Sequence, residues 1–270
     1  NYQVLDVKVK DTEETAKLYT YFLDNSREIA PERVRPVIVI CPGGGYEWVS
    51  EREQAIALKF VGAGYHAVVL HYSVAPAAHY PTALRQLAWT VAHLREHAAE
   101  YHIDPNKVVV AGFSAGGHLA ASYGVFWKKK TFLAEELGVD AEQLRPNGLL
   151  LSYPVITSGP KAHRGSFTKL LGDRYDELVD EMSLENQVSL DTPKTFLWHT
   201  AGRLRAGRKL HSVLYSTACT GDSGRNAYLS GRRHGLGLAS EETQSYEYQN
   251  AVREECQSWI SLALSWMQHL

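Results

Sequence analysis

The sequence predicts an α/β protein with a mostly parallel central sheet and helices on both faces. Three observations carry this. Short, continuously apolar runs recur at 36–41, 66–72, 108–111, 148–154 and 194–199. Strands that are apolar throughout, rather than alternating, are buried on both faces, as parallel strands are. Segments with helical spacing of apolar residues lie between several of these runs, and such alternation implies crossover connections and parallel pairing. At 270 residues the chain is long enough for one sizeable domain.

Each element has its own signal. Residues 4–9 and 17–23 alternate apolar and polar, which fits an antiparallel pair at the sheet edge. Residues 36–41 form the first buried strand, 51–62 a helix and 66–72 the next strand. From 81 to about 98, Leu84, Leu87, Ala88, Val91 and Leu94 recur at helical spacing, with Pro81 suited to a first turn. The turn signal Asp104-Pro105-Asn106 introduces the strand at 108–111, and residues 118–122 read as helix. Residues 148–154 and 194–199 are further strands. The polar stretch 156–191 is longer than a plain crossover, and we read it as a partial lid, with a solvated helical crossover as the alternative. A last helix is expected from about 245 to 268, with Val252, Cys256, Trp259, Ile260, Ala263, Leu264 and Met267 on one stripe.

Bulk composition removes some function classes. A net charge of −2 favours neither nucleic acid nor an anionic membrane as a partner. No apolar run approaches the length of a membrane span. Cys41, Cys219 and Cys256 have neither disulfide-framework nor metal spacing, so a reducing, cytoplasmic setting is expected. No signal peptide is visible, although a chain starting at Asn1 leaves room for a trimmed leader.

Gly112-Phe113-Ser114-Ala115-Gly116 matches G-x-S-x-G, between a predicted strand and a predicted helix. In that context it reads as a tight strand-to-helix turn that exposes a serine hydroxyl above the sheet. A serine hydroxyl is a poor nucleophile at neutral pH. It needs a base, usually histidine oriented by a carboxylate, and N–H donors aimed at the developing oxyanion. Pro42-Gly43-Gly44-Gly45-Tyr46 follows the strand at 36–41, and its glycines leave backbone N–H groups open to a substrate oxygen. We assign the N–H groups of Gly44, Gly45 and Ala115 to this task. Of twelve histidines, His234 is best placed as the base, beyond the last candidate strand and before the last helix. His71 and His199 end strands and are runners-up, while His118 is expected to pack against the sheet. Tyr46, Trp48 and Tyr72 are candidates to line an acyl or sugar pocket, with plain packing as the alternative. No metal site or nucleotide cofactor is implied.

Together, Ile-Cys-Pro-Gly-Gly-Gly-Tyr (40–46), Gly-Phe-Ser-Ala-Gly-Gly-His (112–118), Phe-Leu-Trp-His-Thr-Ala (196–201) and His-Gly-Leu-Gly-Leu (234–238) resemble the α/β-hydrolase esterases of the bacterial acetylxylan-esterase-like and hormone-sensitive-lipase-like group. The resemblance implies an α/β-hydrolase fold and a serine carboxylesterase acting on small acyl esters, often acetyl or feruloyl groups on plant polysaccharides. A serine peptidase of the same fold would share every motif.

One block departs from the resemblance. After residue 201 such enzymes continue with a D-D-x-V-P-like segment that supplies the catalytic aspartate. Here the chain reads Gly202-Arg203-Leu204-Arg205-Ala206. Between 202 and 233 the bases Arg203, Arg205, Arg208, Lys209, Arg225, Arg232 and Arg233 face one acid, Asp222, whereas the whole chain has 28 bases and 30 acids. We read 202–233 as a frameshifted block. Residues 202–215 can be encoded so that the frame one base later reads DDCVPVENSILY, and residues 226–232 so that the same frame reads MHIYPDG. If the written residues stand, the acid is absent from Gly202 and Arg203. Asp222 is then a weak substitute, and an impaired hydrolase or a binding protein is the alternative.

Overall fold

The computed structural model describes residues 1–10, 12–200, 225–229, 234–246, 249 and 251–270. Its described strands are β1 (Tyr2–Lys8), β2 (Thr15–Tyr21), β3 (Arg35–Cys41), β4 (His66–His71), β5 (Ile103–Phe113), β6 (Gly148–Ser152), β7 (Thr195–Thr200) and β8 (Arg225–Leu229). They form one sheet in the order β1-β2-β4-β3-β5-β6-β7-β8. The β1–β2 and β2–β4 pairs are antiparallel, and every other pair is parallel. The expected antiparallel edge and parallel centre are both present. β8 lies within the anomalous block and pairs Phe196 to Thr200 with Arg225 to Leu229.

Helices cover both faces: α1 (Glu53–Gly62), α2 (Thr82–Glu96), α3 (Ala115–Phe126), α4 (Phe132–Leu137), α5 (Arg164–Leu171), α6 (Tyr175–Leu178), α7 (Glu254–Gln257) and α8 (Trp259–Met267). The apolar runs are continuous because successive residues of a central strand enter different cores. Val37 and Val39 of β3 pack with Leu87 and Val91 of α2 and Leu119 of α3. Ile38 and Ile40 pack on the opposite face with Ile56 and Phe60 of α1 and Trp259 of α8. Burying one such side chain contributes about 1.5–3 kcal/mol, so each strand is strongly held in register.

Three elements differ from expectation. The Asp104-Pro105-Asn106 signal lies inside β5, not before it. Pairing with β3 jumps from Ile103 to Val108, and Asn106 N–H donates to Asp104 Oδ1 at 3.0 Å, so the signal makes a bulge. β6 stops at Ser152, because Tyr153 turns to φ 38°. The last helix begins at Glu254 rather than near 245. Arg253 is extended (φ −143°, ψ 94°) and its N–H is held by Ala239 O at 2.8 Å, which stops the helix propagating backwards.

Candidate active site

The site forms where β3, β5 and β6 end, the edge at which parallel sheets present ligands. Ser114 follows β5 at φ 57°, ψ −114°, outside the regions favoured by L-residues. Its backbone is clamped from three sides. Ser114 N–H donates to Ser152 O at 3.1 Å, and Ser114 O accepts from Val155 N–H at 2.9 Å and His118 N–H at 3.2 Å. The flanking glycines permit this turn by close approach. A Cβ on Gly112 would meet Gly116 O at 2.1 Å, and one on Gly116 would meet Cys41 O at the same distance.

His234 reaches the serine from the loop before α7. Its Nε2 lies 2.5 Å from Ser114 Oγ. Several anchors hold that loop. Tyr153 OH accepts from Gly237 N–H at 2.9 Å, and its ring packs edge-on to the His234 ring at 5.1 Å. Trp259 Nε1 donates to Gly237 O at 3.0 Å, and Gln257 Nε2 donates to Ala239 O at 3.1 Å. Of the runners-up, His71 packs on Tyr19, with ring centroids 4.6 Å apart, and His199 lies on β7 opposite Tyr228. Neither lines the cleft around Ser114.

The glycine loop after β3 forms the opposite wall. Gly44 sits at φ 134°, and a Cβ there would overlap Trp48 O at 1.8 Å, so only glycine fits. Its carbonyl accepts from Glu47 N–H and Trp48 N–H, at 3.1 and 3.2 Å, which folds the loop back on itself. Among the described residues, no protein group accepts from the N–H of Gly44, Gly45 or Ala115. Gly44 and Gly45 line the cleft directly, whereas Ala115 is buried at the start of α3. The three N–H groups expected to serve an oxyanion are therefore without acceptors among the described residues.

The cleft has a volume of about 390 Å³ and opens to solvent. Trp48, 55% exposed, stands at its rim. Tyr46 and Tyr72 do not line it, which corrects the expectation for both. Tyr46, turned inward at φ 62°, is buried with its OH 3.0 Å from His118 Nδ1, and Tyr72 OH donates to Pro42 O at 2.7 Å. They brace the glycine loop from beneath. His118 faces the 156–191 segment rather than the sheet. Its Nε2 donates to Met182 O at 3.0 Å and its ring meets Phe167 edge-on. Burial holds its pKa down at about 4, so it is neutral at pH 7. From the same segment, His163, Gly165 and Lys169 line the cleft, and Lys169 Nζ pairs with Glu47 at 2.7 Å.

Arg52 and Glu53 line the cleft too, though the sequence marked them only as helix. Glu53 is 3% exposed, and burial pushes its carboxyl above the usual carboxylate range. The positions expected to hold the orienting acid, Gly202 and Arg203, and the substitute Asp222, lie outside the described residues. A His93–Glu96–His97 set at the end of α2 has the geometry to hold a metal ion, but none of the three lines the cleft. No helix among the described residues is long and apolar enough to cross a membrane.

Fold and site together define an α/β hydrolase: a mostly parallel eight-stranded sheet with a strained serine at a strand-to-helix turn and a histidine on a following loop. Residues 26–201, well over half of the chain, match the BD-FAE family, and the chain belongs to it. Endo-1,4-beta-xylanase B of Butyrivibrio fibrisolvens is 37% identical over 172 residues, which span 62% of this chain and 27% of that protein. The acetylxylan esterase of Xylanibacter ruminicola is 28% identical over 159 residues, 56% of this chain and 30% of that one. The chain thus spans under a third of the length of these two relatives. Among solved structures, an acetyl ester-xyloside bifunctional hydrolase from Caldicellulosiruptor lactoaceticus superposes with a TM-score of 0.79 at 30% identity, covering 99% of this chain and 96% of that one.

Proposed function

We propose that the protein is a serine carboxylesterase that removes small acyl groups, acetyl above all, from saccharide esters through an acyl-enzyme. The observation that carries this reading is the 2.5 Å contact between Ser114 Oγ and His234 Nε2. Ser114 attacks the ester carbonyl while His234 accepts its proton. The oxyanion is stabilised by the N–H groups of Gly44, Gly45 and Ala115. Collapse expels the alcohol, protonated by His234, and water activated by His234 hydrolyses the acyl-serine. The saccharide preference is supported by the names of the relatives and by an open cleft with Trp48 at its rim, suited to stacking on a sugar ring.

The orienting acid of this mechanism is an aspartate encoded near Gly202–Arg203 in the alternative frame. The match to the family ends at residue 201, where the base-rich block begins, and this supports the frameshift reading. Peptide mass spectrometry across 199–234 on protein from the native gene tests it. Peptides with the DD and YPDG sequences are expected, and peptides with the written residues would overturn it.

The function itself is tested by release of p-nitrophenol from p-nitrophenyl acetate and of acetate from acetylated xylan. Turnover by the native protein and its loss, by at least about 10³-fold, in Ser114→Ala are expected. Equal rates for both proteins would rule the mechanism out.

A further inference from the structure

The oxyanion loop follows β3 and the His234 loop precedes α7, far apart in the chain, and both touch the first residues of α1. Glu53 Oε1 accepts from Gly43 N–H at 3.4 Å. Ser50 N–H in turn donates to Gly43 O at 2.9 Å, closing the neck of the loop. Gly43 fills the gap between this carboxyl and the serine. A Cβ placed on it would stand 3.9 Å from Glu53 Oε1, 3.5 Å from Ser114 Cβ and 3.1 Å from Phe113 O. One residue earlier, Arg52 Nη1 donates to Gly235 O at 2.7 Å, next to His234.

Adjacent residues at the start of α1, Arg52 just before it and Glu53 its first residue, therefore hold the two loops between which the serine sits. We infer that Arg52 and Glu53 are paired positioning residues, Glu53 setting the oxyanion loop and Arg52 the His234 loop relative to Ser114. Neither touches the reacting atoms. Both act through backbone groups of the two loops, which fixes the donors and the base relative to the serine.

Only one of the two carboxyl oxygens is engaged. Among the described residues, buried Oε2 has no hydrogen-bond partner, a costly setting for a charged oxygen. The loop is therefore held through Oε1, by Gly43 N–H. Glutamine keeps that acceptor on the same skeleton, with an amide oxygen in place of Oε1, and carries no charge. A role confined to a charge at the helix N-terminus would not survive this replacement.

The inference rests on the serine-esterase reading, and the test separates the two. Native protein, Ser114→Ala, Glu53→Ala, Glu53→Gln, Arg52→Met and the double variant Arg52→Met/Glu53→Ala are compared for kcat and KM on p-nitrophenyl acetate and for thermal melting. Losing one oxyanion donor costs about 10²–10³ in kcat, so misplacing the loop in Glu53→Ala is expected to cost about 30-fold, with KM within about threefold. Glu53→Gln is expected to restore kcat to within about threefold of native. Arg52→Met, which leaves the core filled, is expected to lose about tenfold, and the double variant less than the product of the single losses. Native kcat in both Glu53→Ala and Arg52→Met would overturn the inference, as would melting shifts without a change in kcat. Should Glu53→Ala fail to fold, the kcat of Arg52→Met decides. Undiminished turnover in Ser114→Ala would instead sink the esterase reading.

Discussion

Replacing Tyr153 by phenylalanine isolates one hydrogen bond beneath the proposed base. Tyr153 is 3% exposed, with its ring edge-on to His234 and to Trp198, each at 5.1 Å. Phenylalanine keeps the ring and its apolar burial, so the perturbation is confined to the hydroxyl. That hydroxyl accepts from Gly237 N–H at 2.9 Å, and Gly237 is buried. Leaving the N–H without an acceptor costs about 1–3 kcal/mol. In a domain of this size that corresponds to a fall in Tm of about 3–8 °C. His234 stands three residues before Gly237. A loosened loop spends less time with Nε2 against Ser114, and kcat should fall about tenfold with KM nearly constant. Differential scanning calorimetry and initial rates on p-nitrophenyl acetate measure both effects. An unchanged Tm with unchanged kcat would refute the anchoring role. A lower Tm with native kcat would show that the anchor stabilises the loop without steering the histidine.

Two further perturbations test the fold and its titration. Gly116→Ala places a Cβ 2.1 Å from Cys41 O and 2.2 Å from Pro42 O, both backbone atoms, so it should destabilise by over about 3 kcal/mol or abolish folding. Gly62→Ala, where a Cβ meets nothing within 4 Å, should stay within about 1 kcal/mol, and similar denaturation midpoints for the two variants would contradict the close approach. His118 is neutral and buried, its pKa lowered by burial from 6.5 to about 4. The unfolded chain therefore takes up a proton at this histidine before the folded protein does, and stability is lost as pH falls from 6.5 towards 4. The loss from this group is about 3 kcal/mol across that window. Denaturant unfolding at pH 7 and pH 4.5 should show a smaller drop for His118→Gln than for the native protein, and equal drops would contradict it.

Much of the fold was legible because its signals are local. The runs at 36–41 and 148–152 are apolar without a break since both faces of their strands are covered, and no other environment asks for that pattern. The serine turn was legible because close approach permits only glycine at 112 and 116. What the sequence hid depends on direction. Tyr46 and Tyr72 adjoin the site in sequence or in the sheet, but a positive φ turns Tyr46 inward and Tyr72 is bonded to Pro42, so both brace the loop rather than line the cleft. A polar pair at the start of a helix reads as a solvated end. Only the folded loops over α1 bury Glu53 and bring Arg52 to Gly235. The start of the last helix was misplaced because Arg253 is held in extended form by Ala239, a contact no periodicity encodes.

The proposed mechanism requires Ser114, activated by His234, to form a covalent acyl-enzyme. The direct measurement is mass spectrometry of the native protein after treatment with diethyl p-nitrophenyl phosphate, a reagent that phosphorylates activated serines. One diethylphosphoryl group per chain is expected, located on the peptide containing Ser114 and absent from Ser114→Ala and His234→Ala. Ester hydrolysis by a protein that acquires no such group, or acquires it at another residue, would contradict it.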